Sequence, residues 1–82
     1  MTSKQILEKV LLLSPPVKEL LDGLVPNRKE WAFIRAKHRV QELVGFENPQ
    51  QFSHLSLEDR MLMTSGRAYS VVLDAVAAKL RR

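Results

Sequence analysis

His38 and His54 are the side chains here best suited to moving a proton or holding a metal, and neither stands at a working spacing. A helical metal site needs patterns such as His-x-x-x-His or His-Glu-x-x-His, which put two ligands on one face. The adjacent carboxylates Glu58 and Asp59 fall at the start of an expected helix, where the positive end of the helix dipole accounts for them. No serine sits in Gly-x-Ser-x-Gly, and the three glycines are too far apart to form a phosphate loop. With no convergent set of polar groups, the expectation is a chain without catalytic residues, metal or cofactor.

Two other groups of residues could carry function by binding. Trp31, Ile34, Arg35 and His38 lie off the apolar arc of their expected helix, and an exposed Trp beside Ile and Arg has the composition of a protein-interface anchor. Trp31 has a competing role, packing on Pro26 as a hydrophobic staple. Met63 and Arg67, expected on the outer side of the last helix, join this partner-binding set. The second group is basic. Residues 27–45 carry Arg28, Lys29, Arg35, Lys37 and Arg39 against Glu30 and Glu42, and the chain ends in Arg81 and Arg82. A net charge of +4 is compatible with nucleic acid and equally with an ordinary solvated surface.

The segment Val40-Gln41-Glu42-Leu43-Val44-Gly45-Phe46-Glu47-Asn48-Pro49-Gln50-Gln51-Phe52-Ser53-His54 resembles the second helix-turn-helix of AraC-type transcription regulators. The resemblance implies that the helix after Asn48 enters a DNA major groove. Gln50, Gln51 and His54 would then face bases, while Phe46 and Phe52 would be core. The sequence departs from that family at Gln41, where a small residue is wanted. It departs again after His54, where Glu58 and Asp59 would repel phosphate. The same letters also have a local explanation: a glycine that ends one helix, an Asn-Pro that starts another, and two core phenylalanines.

The elements that must position these residues are all helical. Apolar spacing predicts helices at about 3–13, 15–24, 28–44, 49–54 and 57–80, with no strand. Pro15 and Pro16 end the first helix and open the second, with Ser14 as cap; Leu12 alone falls off the apolar arc of the first. Asn27 with Glu30 reads as a capping box for the third, and Gly45 as its left-handed terminator. Residues 57–80 read as one amphipathic helix of about six turns with Leu57, Met61, Leu62, Ala68, Tyr69, Val72, Leu73, Ala75, Val76 and Leu80 inward. At about 1.5 Å per residue it would run roughly 36 Å and span the domain. Gly66 falls inside it, as a bend or a point of close backbone approach.

The fold expected is therefore all-α: a single domain, a small orthogonal bundle of four to five helices built around a long C-terminal helix. The 82 residues include no cysteine, which fits a reducing compartment, and the apolar run at 10–13 is too short for a signal peptide or a membrane span. A cytoplasmic chain is expected, or one in a particle assembled there. Its expected function is non-enzymatic protein docking as an adaptor, regulator or assembly component, with another protein or a second copy as partner. The alternative is a small basic nucleic-acid-binding protein using Arg28, Lys29, Arg39, Gln50, Gln51, His54, Arg81 and Arg82.

Overall fold

The computed structural model describes residues 1–81. Five α-helices follow in order, α1 (Ser3–Leu13), α2 (Pro15–Asp22), α3 (Glu30–Leu43), α4 (Leu57–Met63) and α5 (Gly66–Leu80), with a 3₁₀ turn at Pro49–Phe52 between α3 and α4. The all-helical bundle is as expected. Thr2 starts α1 with a reciprocal capping box: its hydroxyl accepts from the Gln5 amide while the Gln5 side chain accepts from the Thr2 amide. Ser14 does not cap α2 with its side chain. It is buried instead, its carbonyl accepting from the Val17 and Lys18 amides, so α1 passes into α2 through one residue.

The third helix starts later than the sequence suggests. Asn27 is not its N-cap; Asn27 adopts a left-handed φ of 66°, and Lys29 precedes the first turn with no side-chain cap. Asparagine tolerates that conformation, and here its turn-forming tendency outweighs its capping tendency. The far end behaves as expected. Gly45 has φ +79°, its amide donates to Glu42 O, and the Phe46 amide donates to Gln41 O. These two bonds make a Schellman close. Gln51 Nε2 also donates to Glu42 O at 2.9 Å, a second donor on the carbonyl that already accepts from Gly45.

The largest correction concerns the last third of the chain. Residues 57–80 are two helices, broken at Thr64 and Ser65. Two hydroxyls make the break. Thr64 Oγ1 donates to Arg60 O at 2.9 Å, and Ser65 Oγ donates to Leu62 O while accepting from the Ala68 amide. Ser65 thus closes α4 and caps α5 with one side chain, the local competition that makes Ser and Thr poor helix-interior residues. Gly66 becomes the first residue of α5, where no glycine penalty of the helix interior applies, and the nearest neighbour to its missing Cβ is Phe46 Cζ at 4.0 Å. No close backbone approach depends on it.

Because Ser65 is extended (φ −81°, ψ 145°), the helical phase of α5 does not continue into α4. Leu57 and Met61, expected inside, are both about two-thirds exposed. Met63, expected outside, is fully buried. The idea of a spine spanning the domain also falls: α5 is about 22 Å long at 1.5 Å per residue, within a molecule 38 Å in its longest dimension.

The core joins Ile6 and Val10 of α1, Val17 and Leu21 of α2, and Ala36, Val40 and Leu43 of α3 to Met63 of α4 and Ala68, Val72, Val76 and Leu80 of α5. Phe52 closes one end over Gly45. The most extensive helix pairing is α3 on α5, with α1 packed across α5, α2 and α4. Lys9 and Asp59, 3.4 Å apart, tie α1 to α4. Leu12, the off-arc residue of α1, is 80% exposed. Phe46 is not a core residue; it is half exposed and lies on Tyr69, ring centroids 5.1 Å apart.

The Tyr69 hydroxyl is buried with no hydrogen-bond partner among the described residues, and burial pushes its pKa above 10.0. Removing an unsatisfied buried hydroxyl relieves a desolvation cost, so Tyr69→Phe is expected to stabilise by about 1 kcal/mol, raising Tm by roughly 4–8 °C. The sign of the pH effect follows from the raised folded pKa. The unfolded chain releases this proton first, so stability is lost as pH rises past 10. Thermal melts at pH 7 and above 10 should show the gap between Tyr69→Phe and the parent widening with pH.

Candidate docking face and basic groove

On α3 the buried residues Ala36, Val40 and Leu43 form one stripe, with Phe33 packed beside them. At 3.6 residues per turn, Trp31 lies half a turn round the helix from Val40, and His38 lies close to the same line. Trp31 is accordingly 69% exposed and Ile34 39% exposed, and Arg35 and His38 are also exposed. The residues at 31, 34, 35 and 38 make a continuous outer stripe along two turns. At that exposure the indole of Trp31 is not roofed over by a neighbouring helix.

The two residues expected to extend this surface from the last helix do not do so. Met63 is enclosed in the core, for the reason of phase given above. Arg67 is exposed, but its guanidinium donates to Met1 O at 2.7 Å, binding the N-terminal end of the chain to α5.

The basic residues line three neighbouring hollows that share Arg28. Arg28, Arg35 and Arg39 line an open groove of about 310 Å³ between the end of α2 and α3. Arg28, Lys29 and Arg35 also line the adjoining hollow at Trp31. Arg28 and Lys29 reach a third hollow with Arg81, where the start of α3 meets the end of α5. Arg39 is paired with Glu42 at 2.9 Å. Among the described residues, Arg28, Lys29 and Arg35 form no salt bridge. Arg82 lies outside the described residues.

The segment resembling a helix-turn-helix is not built as one. After Gly45 there is a single 3₁₀ turn of 4 residues, too short to serve as a recognition helix. Gln51 is engaged with the Glu42 carbonyl, while Gln50, beside Arg60, and His54 line separate hollows that do not include Arg28, Arg35 or Arg39. Of the residues the resemblance implies, only Phe52 takes its expected core place.

No protein family, curated protein or solved structure matches this chain. No helix among the described residues is long and apolar enough to cross a membrane, and no three of their His, Asp or Glu side chains gather as a metal site would need.

Nothing in the amino-acid pattern pointed to the α2–α3 groove, because its floor joins residues from two helices. A second apolar surface was also missed: Leu57, Met61 and Pro49 border an open hollow between α4 and the 3₁₀ turn. The signal was present in Thr64 and Ser65, consecutive hydroxyls ahead of a glycine, which read as a helix stop and start.

Proposed function

We propose that this protein is a non-catalytic docking module that binds another protein through the outer face of α3. The observation that carries the reading is the exposure of Trp31 on the side of α3 opposite the core, 69% open to solvent. An indole placed there contributes nothing to the core, and Trp is among the residues that most often anchor interfaces. Ile34 and Arg35 one turn on supply the aliphatic and guanidinium neighbours typical of such an anchor.

Replacing Trp31 and Ile34 together by alanine tests this. Both side chains are exposed, so the double variant should keep its stability within about 0.5–1 kcal/mol. Affinity for the partner should fall by about 100-fold or more, the loss of at least one anchor residue. Binding is read by titration against the protein's captured partner, and self-association by solution mass across concentrations. If neither changes, this face is not the docking surface.

A second reading, contact with nucleic acid, has one observation in its favour: Arg28, Lys29 and Arg35 line adjoining hollows and pair with no carboxylate among the described residues. It does not extend to Gln50, Gln51 or His54, so it would be a backbone contact without base readout. Titrating a labelled duplex at two salt concentrations separates the readings, since phosphate contacts weaken steeply with salt.

A further inference from the structure

The groove between α2 and α3 has a specific chemistry. One wall is aliphatic, from Leu20, Leu24 and Val25, and the other is the short side chains Ala32 and Ala36. Its charged groups are Arg28, Arg35 and Arg39, and none of the described carboxylates lines it; Arg39 is paired at 2.9 Å with Glu42, an exposed pair that an incoming carboxylate would have to share or displace. Val25 is half exposed, an apolar side chain with nothing over it. Arg35 and Arg39 stand one helical turn apart on α3, about 6 Å along its axis.

We infer that this groove takes an acidic amphipathic helical segment of another protein. This rests on the docking reading above and adds the chemistry of the partner. A helix laid along α3 presents side chains at i and i+4 with the same one-turn rise, so two carboxylates at that spacing meet Arg35 and Arg39 together. Guanidinium and carboxylate pair through two parallel hydrogen bonds, which fixes direction as well as charge. Between the carboxylates one aliphatic side chain enters over Ala32 and Ala36 and covers Leu24 and Val25. The aliphatic wall is what favours a peptide over nucleic acid: phosphates would satisfy the arginines but leave Leu24 and Val25 wet. Trp31, beside the adjoining hollow with Arg35, flanks the same ligand.

The test is selection of helical peptides displayed on phage against the intact protein at near-physiological salt, followed by titration of the enriched peptides. Enriched sequences should share an Asp or Glu pair three or four residues apart with Leu, Ile or Met between. Arg35→Glu with Arg39→Glu should weaken them at least about tenfold, and exchanging the peptide's acidic pair for lysines should restore binding to that variant. Val25→Asp, at an exposed position, should weaken the original peptides without affecting the melt. Enrichment of peptides without the acidic pair, or binding indifferent to both variants, overturns the inference. Peptides lost on Trp31→Ala but indifferent to the arginines leave docking standing and remove this groove from it. No enrichment at all counts against the inference, and unchanged partner binding in the Trp31/Ile34 variant counts separately against the docking reading. A duplex or single strand that binds with steep salt dependence and is lost on the Arg35/Arg39 reversal assigns the groove to nucleic acid instead.

Discussion

Met63→Ala is expected to lower stability by about 2–5 kcal/mol, the range for emptying a buried methionine site. Met63 is fully buried where α4 meets the rest of the core, in contact reach of α1 and α5 through the packing of their helices. At roughly 0.05–0.15 kcal/mol per residue, a chain of 82 residues holds only about 4–12 kcal/mol in total. The variant should therefore melt roughly 10 °C or more below the parent or fail to fold at 37 °C. Met63→Leu keeps the volume and should cost less than about 1.5 kcal/mol. Urea denaturation of the three proteins checks both values. A continuous helix over residues 57–80 makes the opposite prediction, a surface residue whose loss changes stability by about 0.5 kcal/mol or less.

Gly45→Ala is expected to cost a similar amount by a different route. A left-handed backbone costs a non-glycine residue about 1–2 kcal/mol. Gly45 holds φ +79°, and an added Cβ would lie 2.6 Å from Phe52 Cε2 and 2.8 Å from Cδ2. Phe52 is buried and cannot swing away without opening the end of the core, so overpacking adds about 1–3 kcal/mol. The sum, roughly 2–5 kcal/mol, should appear as a lower urea midpoint. A further signature is local: the Phe46 amide, bonded to Gln41 O in the Schellman close, should exchange with solvent faster relative to the α5 core. Gly66→Ala is the control. Gly66 begins α5 with room at its Cβ, so this change should be neutral or mildly stabilising.

The contrast between these two glycines shows how far the letters alone carry. Gly45 was legible because a glycine after an apolar helical run is the usual helix terminator. Gly66 was misread because the apolar arc seemed to keep its phase across it. Periodicity tests whether residues share a face of one helix and does not register a break at which the phase is reset. Here the hydroxyls of Thr64 and Ser65 decide the matter through hydrogen bonds to Arg60 O, Leu62 O and the Ala68 amide. Asn27 failed for a related reason. The same short amide side chain favours both an N-cap and a left-handed turn, and which one wins depends on where α2 must deliver the chain to α3.

Of the candidate surface, the stripe at Trp31, Ile34, Arg35 and His38 was readable in advance, since their spacing opposes the buried face of one uninterrupted helix. Met63 was not, because its direction depends on a helix break. The amino-acid order by itself determined the all-helical class, the extent of α1, the end of α3 and the outer face of α3. All of these follow from contacts within a few residues: caps, proline placement, glycine, and 3.6-residue periodicity. Only the tertiary structure decided the turn of α4 against α5, which puts Met63 in and Leu57 and Met61 out, and the joining of Leu24 and Val25 with Arg35 and Arg39 in one groove. Those features depend on how separate helices pack, and packing of one face against another is set by the whole core rather than by any single stretch of chain.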